Sequence, residues 1–525
     1  MLGRRISRTT PSGATSGYDY DAAGNRTALH SGGRTIDFEY DLAGQEALRR
    51  IGDVIGVAHD FDALGRLTVQ SVTGTDGRSI RRRAYDYRAD GNLIGLDDDI
   101  EGACRFDLDP ARRVTRVRAG NWSEHYLYDA AGNQTDASWP HSHPGSEATG
   151  TRSYEGTRIT RAGAVRYEHD ALGRIVLRQK TRLSRKPDTW RYSWDAEDRL
   201  AAVSTPDGTL WRYLYDPLGR RIAKQRMATN GVSVAEQVDF TWDGTTLCEQ
   251  STTGNGLPGP VTLTWDHQDL HPVAQTERIG ASDATDDTCR DEIDARFFAI
   301  ITDLAGSPTE LLDEEGGIAW RARSTLWGAT AWAENSTAYT PLRFPGQYHD
   351  SETALNYNYF RYYDAETARY LSPAPLGLVP SPNPNTYVDN PHRWTDPLGL
   401  SPEECRELGL RDDALNAITK LENIKKDPIG SINSQPNHNH YSAARREARG
   451  EVVARKPDGT PFDHISDLKQ ARNGLEGIRR ILTKELQKPP ETITPRGREV
   501  LSRKRRDAIV ELERLNRFLK SIGHG

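Results

Sequence analysis

The sequence predicts a mainly β chain, a spiralling antiparallel sheet, followed by a small and mostly α-helical C-terminal domain. Three observations predict it. A motif of an aromatic residue, aspartate, two further residues and a turn-forming position recurs eight times in the first 221 residues. Tyr (21) and Trp (11) outnumber or match Phe (10), and glycine reaches 46, a balance that favours strands joined by tight turns. Beyond Leu400 strand alternation stops and apolar stripes at helical spacing begin.

The repeat is clearest in Tyr20-Asp21-Ala-Ala-Gly24-Asn25, Tyr40-Asp41-Leu-Ala-Gly44-Gln45, Phe61-Asp62-Ala-Leu-Gly65-Arg66 and Tyr128-Asp129-Ala-Ala-Gly132-Asn133. It continues as His169-Asp170-Ala-Leu-Gly173-Arg174 and Tyr215-Asp216-Pro-Leu-Gly219-Arg220, with degenerate copies at Tyr87–Asn92 and Trp194–Arg199. The unit has a simple physical reading. The aromatic and the aspartate end one strand, and the aspartate accepts a backbone N–H in a type I turn. The glycine three residues later takes the positive φ that sends the next strand back. Each unit is then a hairpin that buries its aromatic face only by stacking on the next.

These copies resemble the YD repeats of Rhs, teneurin and insecticidal-toxin C proteins, over residues 1–290. The resemblance implies a sheet that winds into a shell, here a partial one because shell-closing relatives are longer. Residues 250–290 read as a turn-rich excursion loop. Residues 291–400 carry Ile300–Asp313, Leu342–Asp350, Leu355–Asp364 and the closing Asp396-Pro397-Leu398-Gly399-Leu400, and this stretch resembles the Rhs repeat-associated core. That resemblance implies aspartyl-type self-cleavage after Leu400, with Asp396 at the motif position and Arg369 assisting, Arg361 being the nearby alternative. Asp-Pro also commonly opens a turn, which is the structural reading of Asp396. The chemistry needs two carboxylates sharing a proton. Ser372-Pro373-Ala374-Pro375 has alanine where the family pattern has the second aspartate, so impaired cleavage is expected.

Composition bounds the rest. At 525 residues, two to four domains are expected. Only 36% of residues are apolar and the mean hydropathy is −0.73, which implies extensive polar surface or a polar interior. Four scattered cysteines with no CxxC spacing argue against a disulfide framework and a zinc knuckle. No apolar run approaches 18 residues, so no membrane-spanning segment is expected. The start, Met1-Leu-Gly-Arg-Arg5, lacks the apolar core of a signal peptide, so delivery into a neighbouring cell would fall to a secretion apparatus or to a missing N-terminal part.

The net charge of −6 hides an asymmetry: residues 401–525 hold 25 Lys+Arg against 19 Asp+Glu. A basic tail on an acidic body fits a nucleic-acid-directed module. Residues 401–440 read as linker and entry to that module, with a loop near 425–440, and 441–525 as the module itself. Its helical stripes are Leu475, Ile478, Ile481, Leu482 and Leu486, then Ile509, Leu512, Leu515 and Leu519, and the basic run Arg503–Arg506 falls on the second helix. If Tyr441–Arg449 is helical, His440 and Glu447 share a face, and the Asp458-Gly459 turn folds Asp463-His464 back toward it. A His/Glu pair with arginine neighbours suits metal-free RNA cleavage. The candidate catalytic residues are therefore His440, Glu447, His464 and Asp463, with Arg446, Arg449 and Lys456 on phosphate and no cofactor. The structural alternatives are helix caps for His440 and Asp463. The stretch resembles the polymorphic toxin type 28 (Ntox28) family, which implies an RNase toxin in interbacterial competition, an RNA substrate and a cognate immunity protein. Two other readings stand beside it: a metal-dependent DNase tip using His438, His440, Asp463 and His464, and a non-enzymatic cell-surface adhesion protein.

Overall fold

A computed structural model describes residues 4–22, 24–74, 77–182, 184–257, 259–280, 294–377, 383–400, 403–404, 421, 424, 440–453, 461, 463–487 and 495–524. The chain forms two compact units, Met1–Cys405 and Arg406–Gly525.

The first unit is mainly β. Twenty-nine strands from Ser7–Thr9 to Thr330–Trp332 form a single sheet in which each strand pairs antiparallel with the next. The turn chemistry is local and repeats. Asp62 Oδ1 accepts the Leu64 and Arg66 N–H groups at 2.9 Å each, and Asp170 and Asp216 do the same for their own turns. Gly65, Gly173 and Gly219 take φ of +70°, +84° and +82°, and the register shifts by one residue just before each turn. Three further turns, at Asp109, Asp303 and Asp313, use the same bonding.

A second device joins consecutive repeats. In several copies the aromatic that opens the turn motif donates its polar tip to a carbonyl just past the preceding turn. Examples are Tyr40 to Arg26 O at 2.8 Å, Tyr87 to Leu67 O at 2.8 Å, Trp194 to Ile175 O at 2.9 Å and Tyr215 to Leu200 O at 2.9 Å. The arginine that closes the preceding turn reaches forward over that aromatic, as Arg66 does above Tyr87 at 4.8 Å and Arg113 above Tyr128 at 4.7 Å. Phenylalanine has no such polar tip, which accounts for the Tyr and Trp excess.

Residues 250–290 correct the sequence reading where they are described. Val261–Gln268 and His271–Ile279 are long paired strands of the main sheet rather than an excursion loop. Their turn residues close a tight hairpin instead of interrupting the sheet.

The core segment folds as a smaller four-stranded sheet, Tyr348–Asp350, Leu355–Asn358, Arg361–Asp364 and Arg369–Tyr370. Its tyrosines Tyr357, Tyr362, Tyr363 and Tyr370 pack into one cluster with Tyr85, Tyr126, Tyr167 and Tyr213 of the main sheet. The N-terminal strands close a second cluster: Leu29, Ile36 and Val57 pack with Val273, Phe297 and Leu312. The larger cluster therefore sits between strands of the main sheet and the smaller sheet.

The second unit is helical where described: α1 (His440–Glu447), α2 (His464–Leu486) and α3 (Pro495–Ser521). Leu468, Leu475, Ile478 and Leu482 of α2 pack with Leu501, Ala508, Leu512, Leu515 and Leu519 of α3. Ile481 is exposed and Ile509 half-buried, so each stripe is narrower than the sequence implies. No described helix is long and apolar enough to cross a membrane.

Candidate functional site

In the second unit, α1 ends at Glu447 because Gly450, with φ of +86°, donates its N–H to the Glu447 carbonyl at 2.8 Å and reverses the chain. The return brings in the start of α2. Asp463 caps that helix by accepting the Ser466 N–H at 2.8 Å. The next residue, His464, then meets Glu447: Nδ1 lies 2.5 Å from Oε1, and the Ile465 N–H donates to Oε2 at 3.2 Å. His464 is 1% exposed and the Glu447 side chain 11%. A carboxylate on Nδ1 fixes the tautomer and orientation of the ring.

The other expected residues distribute around this pair. His440 opens α1, seven positions before Glu447, and its side chain lies outside the described residues, as do all of Lys456 and His438. Most of the loop near 425–440 is likewise outside them. The Arg446 Nε donates to Glu451 Oε2 at 2.7 Å on the surface, and Arg449 is exposed. Asp463 is engaged as a cap. Among the described residues, no group of three or more His, Cys, Asp or Glu is placed to hold a metal ion.

The end of the first unit holds a second constellation. The Asp396 carboxyl is 1% exposed. Its Oδ2 accepts from Arg361 Nη2 at 3.1 Å and from the Tyr370 hydroxyl at 2.8 Å, while Oδ1 accepts the Leu400 N–H at 2.8 Å. That last bond is the Asx-type turn that an Asp-Pro opening favours. The Arg361 guanidinium stacks 3.5 Å above the Tyr370 ring, and its Nε donates to the Gly399 carbonyl. Asn358 Nδ2 donates to the Asp396 carbonyl at 2.8 Å. The motif is thus clamped from both sides. A Cβ built on Gly399 would stand 2.6 Å from Asn358 O, so only glycine fits there.

Arg369 is placed elsewhere. It donates to Asn133 Oδ1 at 3.0 Å and to Thr157 O, tying the core to two repeat turns. The arginine on Asp396 is Arg361. Its position follows from the two-residue hairpin Tyr359-Phe360, which sets Arg361 directly opposite Asn358 so that both reach the same backbone. Tyr370, whose hydroxyl is held protonated by burial and by Asp396, was not anticipated as a member of the site. Ala374 sits one carbonyl away: its N–H donates to Pro384 O at 2.8 Å, and Arg361 Nη1 donates to the same oxygen at 3.1 Å.

Comparison with known proteins agrees with this division. The family Bacterial toxin 28 matches residues 409–521, RHS protein matches 300–333, and RHS Repeat matches 2–36 and 194–232. The chain is 34% identical over 386 residues to Double-stranded DNA deaminase toxin A of Burkholderia cenocepacia, covering 70% of this chain and 26% of that protein. It is 30% identical over 402 residues to Probable deoxyribonuclease RhsA of Dickeya dadantii, covering 74% and 26%. The chain therefore spans about a quarter of the length of these curated relatives. In fold it is similar to a chain of the Photorhabdus luminescens Tc holotoxin pore, with a TM-score of 0.60 at 20% identity, covering 76% of this chain and 21% of that one.

Proposed function

The chain is an RHS-repeat protein that carries a Bacterial toxin 28 region, and from that premise we propose that it acts as an Rhs-type polymorphic toxin whose residues 401–525 are a ribonuclease used in interbacterial competition. The single observation that carries the reading is the Glu447–His464 contact, an imidazole locked by a carboxylate in a basic unit. In RNA cleavage one group takes the 2′-hydroxyl proton and another protonates the leaving 5′-oxygen. His464, oriented by Glu447, and His440, seven positions before Glu447 in the chain, are assigned to those two tasks. Arg449, together with Arg446 once it exchanges Glu451 for a phosphate, stabilises the crowded phosphorane. Lys456 adds backbone contact. The repeat-bearing unit serves delivery through a secretion apparatus, and a cognate immunity protein protects the producer.

The names of the two relatives favour DNA as the second substrate to test. Expression of residues 401–525 in the cytosol of a susceptible bacterium separates the readings. Growth arrest with RNA loss, relieved by His464→Ala and by Glu447→Gln, is the expected result. Arrest with intact RNA and damaged DNA moves the substrate to DNA. Harmless soluble expression leaves the tail a binding module.

A further inference from the structure

A cavity of about 520 Å³ lies inside the first unit, lined by residues between Arg81 and His392, and the chemistry above makes no use of it. Its lining mixes charged and polar side chains with apolar ones, Phe106, Trp122, Leu326 and Phe344 among the latter. On this wall stands Glu124, 1% exposed. Its Oε2 accepts from the Tyr126 hydroxyl at 2.6 Å and from the Leu326 N–H at 2.9 Å, and Oε1 takes no hydrogen bond among the described residues. Elsewhere in the lining, the Tyr85 hydroxyl, Glu101 Oε1 and Ser307 Oγ are also buried without a hydrogen-bond partner.

The wall has cations, but each is committed elsewhere. Arg81 and Arg83 bond to Asp98 and Glu310, Arg323 to Glu101 Oε2, and Arg343 to the carbonyls of Thr340 and Leu342. His143 and His392 are held neutral by burial. The Cys104 thiol is pushed up to about 11 by burial and then by Glu124, and the Asp303 carboxyl is held above the usual carboxylate range by burial. A buried carboxyl with one oxygen unpartnered and no cation bonded to it, on the wall of a cavity, is an arrangement that a cationic guest completes.

We propose that this cavity binds an aliphatic ammonium group, its cation on the free oxygen of Glu124 and its apolar stem against Phe106, Trp122 and Leu326. Burial pushes the Glu124 carboxyl up to about 7, so the carboxylate that receives the cation forms as pH rises through that value. Below it, binding must expel the Glu124 proton to solvent.

Calorimetric titration of the intact chain with hexylamine, hexanol and hexanoate tests this. Hexylamine is expected to bind more tightly at pH 8 than at pH 6, with proton release at pH 6 visible as a buffer-dependent heat. Hexanol and hexanoate are expected to bind about tenfold more weakly or worse, the loss of one charge-assisted contact. Glu124→Gln keeps both bonds to Oε2, because the amide oxygen accepts them, and is expected to fold and to lose about tenfold or more in hexylamine affinity. Absence of hexylamine binding, hexanol binding as tight as the amine, or unaltered affinity in a folded Glu124→Gln chain would each overturn the assignment.

Discussion

Arg221 is fully buried, donating to Asp350 at 2.6 Å within a cage of Tyr213, Phe240, Tyr348, Tyr357 and Tyr362, whose ring centroids lie 4.3–5.8 Å away. Burial works against the Asp350 charge, yet Arg221 and Lys224 outweigh it and hold the carboxyl below the usual carboxylate range. Asp350→Asn leaves the guanidinium buried without its counter-charge and is expected to cost about 3–5 kcal/mol, read as a fall in the urea midpoint. The depressed carboxyl adds a sign. Its stabilisation is complete above the unfolded value near 4 and is lost as pH falls through the lower folded value. The natural chain should therefore lose stability on acidification below about pH 4 more steeply than Asp350→Asn does. Tyr215→Phe removes one clasp between repeats, leaves Leu200 O without that donor, and is expected to cost about 1 kcal/mol in the same titration. The two residues differ in legibility. The Asp-x-x-Gly turn closes within five positions, so its bonding was visible in the sequence. Arg221 and Asp350 are 129 positions apart, and no local pattern marks either as the other's partner.

Among the elements, hairpins and helices were legible for the same reason: period-two and period-3.6 patterns are written in short windows. The 250–290 stretch failed because its Gly, Asn and Asp turn signals outnumber its alternation, although Val261–Gln268 pairs along its whole length. In α3 the buried row runs Leu501, Ala508, Leu512, Leu515 and Leu519, so the small Ala508 takes the contact position beside Ile509. Leu515→Ala is expected to cost about 2–5 kcal/mol by opening a cavity between α2 and α3. Circular dichroism at the helical minimum checks it, with the transition of the β-rich unit expected to stay in place. Asp463→Ala removes the cap of α2 and is expected to cost about 1 kcal/mol. Because His464 is the residue after that cap, the change should also loosen its grip on Glu447 and lower toxicity more than stability alone predicts.

For the whole molecule, the question is whether the basic unit stays joined to the repeat-bearing one. The Asp396 carboxyl is positioned by Arg361, Tyr370 and the Leu400 N–H, which fixes the one carboxyl that an aspartyl-type dyad would use beside the motif that ends at Leu400. The other half needs a carboxyl that holds a proton while Asp396 activates water, and Ala374, joined through Pro384 O to the same arginine, has none. The natural chain is therefore expected to purify with an intact mass near 58.6 kDa. Ala374→Asp adds the missing acid within the same hydrogen-bonded neighbourhood and is expected to yield two fragments separated after Leu400. Asp396→Asn placed on top of Ala374→Asp should restore the single mass. A natural chain already cut after Leu400 would show that one carboxyl suffices, and an Ala374→Asp chain that stays whole would show that proximity through Pro384 does not make a dyad.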